Sequence, residues 1–233
     1  MKSLVRAVRD IYKMAISDEI SVMPDGKFMN KRFGSEYGGW NVVAASINSG
    51  SVVYSFGIGE DASFDTELIA EFGLTVHAFD PTPKSIQWVK NQGFSSKFVM
   101  HEYGLAAFDG IAFFNPPENE EHVSHTLLDR PATKTKAISV PVKKLSTIME
   151  ELGHEHIEIL KVDIEGAEYD VINDMDRSGI IPNQVLVEFH HEFPGVGAKM
   201  TKDAINKLRS IGYLLFSLSS TKKECCFIHK QCS

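Results

Sequence analysis

Cysteine is scarce in this 233-residue sequence, and the three cysteines stand close together near its end. Cys225, Cys226 and Cys232 are odd in number and lack the paired CxxC spacing of a zinc site. A disulfide framework or a structural zinc site is therefore not expected. We expect these side chains to pack as small apolar groups.

An excess of basic residues is also missing. Lysine and arginine number 24 against 31 aspartates and glutamates, which gives a formal net charge of -7. Proteins that bind nucleic acid hold the phosphate backbone largely through an excess of positive charge. Nucleic acid is therefore not an expected partner.

Long apolar runs are missing as well. No stretch of about 20 apolar residues, the length needed to span a bilayer, occurs in the sequence. The first residues, MKSLVRAVRDIYKMAISDEI, are interrupted by charge before a long apolar run forms, so they do not resemble a signal peptide. We expect a soluble, cytoplasmic protein that has no membrane partner.

Strand patterns alternate with helical patterns through the first half of the main domain. The apolar runs GSVVYSFGIG, LTVHAFD and SSKFVMHEYGL are separated by the helical stretches DTELIAEFG and PTPKSIQWVKNQG. This βαβαβ order predicts an α/β sheet with helices on both faces. The last two extended runs, YLLFSLSS and CCFIHK, predict a hairpin-like pair.

The N-terminal part differs from the rest. Apolar residues recur at helical spacing from residue 4 to residue 20, which predicts an amphipathic helix that packs on the domain or on a second subunit. A homodimer is therefore one expectation. A glycine-rich connection follows, so we divide the chain into an N-terminal helix with its connecting segment, 1–36, and a main domain, 37–233.

Glycines follow the first strand of the βαβαβ pattern. Gly57, Gly59 and Ala62 fit the spacing G-x-G-x-x-A, which lets a backbone turn approach a ligand. Asp80 ends the second strand, where a carboxylate is able to accept both hydroxyls of a ribose. Together they predict a nucleoside-containing cofactor. A plain tight turn and a helix cap at Asp80, before Pro81, remain the structural alternatives.

Acidic residues beside the glycines indicate which cofactor. Glu60, Asp61 and Asp65 would repel the pyrophosphate of NAD but suit the sulfonium and ammonium groups of S-adenosylmethionine. S-adenosylmethionine is therefore favoured. An NAD-dependent oxidoreductase and a non-catalytic nucleotide-binding module remain alternatives.

The stretch LKVDIEGAEYDVI combines a strand pattern with several charges. In a strand, Lys161, Asp163 and Glu165 share one face, and this strip runs to the carboxyl end, where ligands bind in open α/β sheets. An ion pair between Lys161 and Asp163 is the structural alternative. Glu168 suits the positive end of the following helix.

The stretch VEFHHEF places Glu188 and His190 on one face, where they converge with Asp163. His190 is then a candidate general base that Glu188 orients. Alternatively, the three residues bind Mg²⁺ or Mn²⁺, although no metal is assigned. A third alternative is that the histidines only finish the strand.

Three motifs in this order, VVYSFGIGEDASFD, VHAFDPTP and LKVDIEGAEYDVI, resemble the FkbM family of S-adenosylmethionine-dependent methyltransferases from about Tyr37 onwards. The resemblance implies a Rossmann-like class I methyltransferase fold: a mostly parallel seven-stranded sheet with an antiparallel final strand and helices on both faces. It also implies methyl transfer to a hydroxyl oxygen of a sugar or natural-product-like acceptor.

The resemblance and the residue patterns together predict two sets of site residues. The predicted cofactor-binding residues are Gly57, Gly59, Asp61, Asp80, Pro81, Tyr103, Gly104 and Asp163. Tyr103 and Gly104 belong to this set because the resemblance implies adenine contact at the end of the third strand. The predicted catalytic residues are His190, Asp163 and Glu188.

Overall fold

The computed structural model describes residues 20–114, 137–193 and 195–232. The predicted N-terminal helix lies outside these ranges, except for its last residue, Ile20. The homodimer, which was inferred from that helix, stays a prediction.

The described residues contain twelve strands and five helices. The strands are β1 (Lys31–Phe33), β2 (Trp40–Val42), β3 (Val52–Phe56), β4 (Thr75–Phe79), β5 (Phe98–His101), β6 (Gly104–Leu105), β7 (Gly110–Phe114), β8 (Ile138–Lys143), β9 (Ile159–Val162), β10 (Gln184–Glu188), β11 (Tyr213–Leu218) and β12 (Glu224–His229). The helices are α1 (Ser63–Phe72), α2 (Pro83–Lys90), α3 (Leu145–Leu152), α4 (Glu168–Ser178) and α5 (Gly197–Ser210).

Seven strands form the central sheet in the spatial order β5-β4-β3-β9-β10-β12-β11. The five strands from β5 to β10 are parallel, whereas β12 is antiparallel to both β10 and β11. The sheet confirms the predicted fold, including the antiparallel final strand. The chain order reverses between β3 and β9, and in such sheets ligands bind outside the carboxyl ends of the strands at this point.

Apolar side chains cover both faces of the sheet. On one face, α3, α4 and α5 pack against a core that includes Tyr54, Leu160 and Val187. On the other face, α1 and the β1–β2 pair pack against Val53, and α2 packs nearby against Ala78. The predicted two-sided helical cover is thus confirmed.

The segment before β3 is more regular than its glycine-rich sequence suggests. We predicted only a glycine-rich connection here, but β1 and β2 pair in antiparallel register, with Phe33 opposite Trp40. Asp25 also binds the domain, because its carboxylate accepts a hydrogen bond from the Leu215 backbone N–H and pairs with Arg209. The described part of the segment 1–36 therefore packs on the main domain.

A smaller sheet of three strands has the order β6-β8-β7. Strand β7, which contains the run IAFF, pairs in antiparallel register with β8, which contains the run ISVPV. Among the described helices, none has both the length and the apolar character that crossing a membrane requires.

Candidate functional site

The predicted site residues gather at the carboxyl ends of β3, β4, β9 and β10. Gly57 follows β3, Asp80 follows β4, and Asp163 follows β9. Glu188 ends β10, and His190 lies two residues further on. Because parallel strands end at the same edge of the sheet, residues far apart in sequence meet there.

The glycine turn touches the strand that carries Asp163. Gly57 and Gly59 both have positive φ angles, 79° and 58°, which residues with a side chain rarely adopt. A Cβ atom on Gly57 would lie only 1.9 Å from the backbone carbonyl oxygen of Asp163. Only glycine fits this position.

Asp80 stabilises the glycine turn through hydrogen bonds to its backbone. Its Oδ2 accepts hydrogen bonds from the backbone N–H groups of Ile58 and Gly59, at 3.1 and 3.0 Å. Its Oδ1 accepts from the backbone N–H and the hydroxyl of Thr82, at 2.9 and 2.7 Å. A carboxylate offers about four acceptor positions, so the protein itself uses all of them. Ribose binding by Asp80 stays a prediction, and it requires a ribose hydroxyl to replace or share one of these donors.

Asp61 ties the loop between β1 and β2 to the start of α1. Its Oδ2 accepts a hydrogen bond from the Ser35 hydroxyl at 2.6 Å, and its Oδ1 accepts one from the Ser63 backbone N–H at 2.8 Å. Burial opposes ionisation of Asp61, but these hydrogen bonds outweigh it and keep the pKa of the carboxyl below its ordinary value.

Tyr37 lies near the tip of the same loop, and sequence reasoning missed it because no motif includes it. Tyr37 is 90% exposed, yet partial burial beside the sheet edge and the charges of Asp163, Glu188 and Glu165 raise its pKa. The hydroxyl therefore lies within electrostatic reach of the acidic groups at the ends of β9 and β10.

Lys161 is buried, with 6% of its surface exposed, and braces β3 against β9. Its ammonium group donates to the backbone carbonyls of Gly57 and Phe56, at 2.8 and 3.2 Å. The structural alternative was an ion pair with Asp163, but backbone carbonyl groups accept the hydrogen bonds of Lys161. Lys161 thereby fixes the start of the glycine turn.

The charged strip that we predicted along β9 is shorter than expected. The strand ends at Val162, and Glu165 has a φ of 54°, so it lies in a turn and not in the strand. The prediction that Glu165 shares a strand face with Lys161 and Asp163 is therefore wrong. The turn nevertheless directs the Glu165 carboxylate to the same place, next to His190.

Four carboxylates surround the buried imidazole of His190, and we call Asp163, Glu165, Glu168, Glu188 and His190 the acid–histidine cluster. The Nε2 atom of His190 lies 3.5 Å from Glu165 Oε2, 3.7 Å from Glu188 Oε1 and 3.8 Å from Asp163 Oδ1. The structure therefore brings Asp163, Glu188 and His190 together, as predicted.

Glu168 has a larger role than the helix-end role that we predicted. It is fully buried, and its Oε2 accepts a hydrogen bond from the Gly166 backbone N–H at 2.8 Å. Its Oε1 accepts from the backbone N–H of His190 at 2.9 Å and lies 3.2 Å from His190 Nδ1. Glu168 therefore orients the imidazole, a task that we had given to Glu188.

The charges of the cluster shift the pKa values of two of its members. Burial would lower the pKa of His190, but the hydrogen bond with Glu168 and the carboxylate charges raise it to about 10. Partial burial, with 28% of the side chain exposed, and the charge of Glu188 raise the pKa of Asp163 above its ordinary value. In these surroundings His190 keeps its proton at neutral pH, so the neutral imidazole that a general base needs is not the form favoured here.

Tyr103, Gly104 and Pro81 lie together on the β4 and β5 side of the sheet edge. The Tyr103 ring packs against Phe79, with ring centroids 5.5 Å apart, and the ammonium group of Lys143 lies 4.5 Å from its centre. A Cβ atom on Gly104 would lie 3.2 Å from Pro81 Cγ. Adenine contact by Tyr103 and Gly104 stays a prediction.

Comparison with known proteins identifies the family of this chain. A family model described as "Methyltransferase FkbM domain" matches residues 52–215. The chain is also 26% identical over 145 residues to human and rat proteins that are each named "Probable methyltransferase-like protein 24". These alignments cover 61% of this chain but only 33% and 34% of the two relatives, so the chain spans about a third of their length.

A solved structure shares the fold. Methyltransferase FkbM from Methylobacillus flagellatus KT superposes with a TM-score of 0.50 at 15% sequence identity, over 78% of this chain and 44% of that one. At this identity the likeness supports the class I methyltransferase fold alone. Since the family model matches well over half of the residues, the chain belongs to the FkbM family of methyltransferase domains.

Proposed function

We propose that this methyltransferase domain uses S-adenosylmethionine and methylates a hydroxyl oxygen of a small sugar-like or natural-product-like acceptor. The observation that carries the proposal is the contact between Gly57 and the Asp163 carbonyl, where an added Cβ would lie at 1.9 Å. Through this contact, the glycine turn and the acid–histidine cluster share one wall. A cofactor on the turn would therefore lie next to an acceptor at the cluster.

The residues present fit this cofactor. Gly57 and Gly59 carry no side chains and have positive φ angles, so the turn lets a ligand approach its backbone closely. We propose that Asp61 and Asp163 bind the methionine end, Asp80 and Pro81 the ribose, and Tyr103 and Gly104 the adenine. When bound, S-adenosylmethionine supplies an electrophilic methyl group on a sulfonium, which the acceptor oxygen takes as the carbon–sulfur bond breaks.

The acid–histidine cluster would bind the acceptor. The side chains of Asp163 and Glu188 keep 28% and 20% of their surface exposed, so both reach the open side of the site. Their carboxylates are able to accept hydrogen bonds from acceptor hydroxyls and to orient the reacting oxygen. Alignment of two bound reactants and exclusion of water are the main sources of rate in such a site.

Calorimetry and a methyl-transfer assay test the proposal. We expect the purified chain to bind S-adenosylmethionine and its demethylated product, and not NAD. We also expect it to transfer labelled methyl groups to at least one member of a panel of sugars and polyhydroxylated compounds. Binding of NAD instead would reject the cofactor assignment. Cofactor binding without methyl transfer to any acceptor would favour the non-catalytic alternative.

A further inference from the structure

We propose that Asp163, Glu165 and His190 form a binding site for a divalent cation of the Mn²⁺ and Mg²⁺ class. One ligand atom from each residue lies within 4.8 Å of the other two. The site itself stands on this geometry, whereas its part in methyl transfer rests on the proposed function.

The spacing within the cluster suits a shared cation better than direct hydrogen bonds. His190 Nε2 is 3.5 Å from Glu165 Oε2 and 3.8 Å from Asp163 Oδ1, whereas N–H···O hydrogen bonds are about 2.7 to 3.2 Å long. A cation with bonds of roughly 2.1 Å holds its ligand atoms about 3.0 to 3.7 Å apart at angles of about 90 to 120°. The observed separations are close to these values.

The imidazole is held as a metal-binding histidine usually is. Only 3% of the His190 side chain is exposed, and its Nδ1 lies 3.2 Å from Oε1 of the fully buried Glu168. Metal-binding histidines commonly donate their other ring N–H to a carboxylate, which fixes the tautomer and the ring orientation. A bound cation would take the place of the proton on Nε2, whose lone pair then points toward Asp163 and Glu165, while the proton on Nδ1 faces Glu168.

The charge around the site also favours a cation. The ammonium group of Lys223 is shared between Glu188 and Glu192, at 2.8 Å from each, and that of Lys161 donates to backbone carbonyls. A divalent ion would bring two positive charges to the carboxylates around His190. Two carboxylates and one imidazole form an oxygen-rich set, which suits Mn²⁺ and Mg²⁺ better than thiolate-preferring metals.

The cation would act on the acceptor. A hydroxyl bound beside a divalent ion has a lowered pKa and gives up its proton to solvent more readily, through the exposed side of the site near Asp163. The oxygen is then a better nucleophile for the methyl group.

Manganese binding to the full chain tests the site without any assay of activity. We would remove bound metal with a chelator, add Mn²⁺ alone, and measure free Mn²⁺ by electron paramagnetic resonance. We expect one site per chain in the wild type. Glu165→Gln and Asp163→Asn should each weaken it at least tenfold, since each removes a charged ligand. Glu71→Gln makes the same chemical change at an exposed residue that pairs with Lys31, so it should leave binding unchanged.

The outcomes separate this inference from the proposed function. Thermal melting of the variants shows whether they fold, and calorimetry with S-adenosylmethionine in the presence of chelator reports cofactor binding independently. Absence of a manganese site in the wild type, or equal manganese affinity in Glu165→Gln and Glu71→Gln, would overturn the inference even if S-adenosylmethionine binds.

Discussion

The two halves of the candidate site satisfy their polar groups in different ways. In the glycine-turn half, Asp80 accepts four hydrogen bonds of 2.7 to 3.1 Å from the protein. In the acid–histidine half, Nε2 of His190 faces three carboxylates at 3.5 to 3.8 Å, all beyond normal hydrogen-bond length.

This difference indicates a division of labour. Fully hydrogen-bonded polar groups make a rigid frame, so changes in the glycine-turn half should damage folding and cofactor binding together. Clustered like charges are typical of functional sites, so changes in the acid–histidine half should damage chemistry more than the fold.

The largest effect is expected at Gly57, which joins the two halves. Gly57→Ala places a Cβ against the Asp163 carbonyl, so we expect the free energy of unfolding to fall by more than about 4 kcal/mol and cofactor binding to be lost. Gly93 is the matched control, since its φ is also positive but no atom lies within 4 Å of an added Cβ. Gly93→Ala should cost about 1 kcal/mol. If denaturant unfolding shows the same loss of stability in Gly57→Ala and Gly93→Ala, the close approach of Gly57 to the Asp163 carbonyl is contradicted.

The next effect concerns His190 and turnover. His190→Gln removes the group around which the carboxylates gather, and we expect the methyl-transfer rate to fall at least about 100-fold. Calorimetry should find the affinity for S-adenosylmethionine nearly unchanged, because the glycine turn is intact. A variant that transfers methyl groups at the normal rate would remove His190 from the catalytic residues.

A smaller effect is expected at Asp80. Asp80→Asn keeps the shape but loses charge-assisted hydrogen bonds, so cofactor binding should weaken by roughly 1.5 to 3 kcal/mol, with a parallel loss of stability. Thr82→Val is the control, since it removes one donor to Asp80 and should lower stability by about 1 kcal/mol while preserving cofactor affinity. If a folded Asp80→Asn protein binds the cofactor with unchanged affinity, Asp80 only stabilises the glycine turn and does not bind the cofactor.

The smallest effect belongs to histidines outside both halves. Burial and the charges of His154 and His101 lower the pKa of His77 to about 4. The unfolded chain, with an ordinary histidine pKa of about 6.5, then binds more protons between these values. Stability should therefore fall as the pH drops from about 6.5 toward 4.

Melting temperatures across this pH range test the prediction. His77→Gln removes the titrating group, so its melting temperature should depend less steeply on pH than that of the wild type. The same slope in both proteins would show that His77 does not contribute. His190, whose pKa is raised and not lowered, shows that the neighbours of a buried histidine decide the direction of its shift.

The main sheet was predictable because its strands are apolar and separated by clear helical patterns. The β1–β2 pair was not, since each strand has only three residues and glycines and charged side chains obscure any alternation. Its stability comes from packing of Phe33 and Trp40 on the sheet, a tertiary effect that local sequence does not report.

The site residues next to strand ends were predictable from spacing, and their partners were not. Glu168 and His190 are 22 positions apart and meet only because α4 packs beside the end of β10. Likewise, the carbonyl partners of Lys161 belong to β3 and the turn after it, more than 100 positions earlier in the chain. The predicted cytoplasmic location is not tested by the fold.

The position of β12 between β10 and β11 constrains the order in which the protein folds during synthesis. Until residues 224–229 leave the ribosome, β10 presents an open edge of unpaired backbone groups. This edge is apolar, since Val185, Leu186 and Val187 are almost completely buried in the finished sheet. The short turn between β11 and β12 allows this hairpin to form by local pairing before it docks onto that edge. We expect a nascent chain to be most prone to aggregation until β12 has been made.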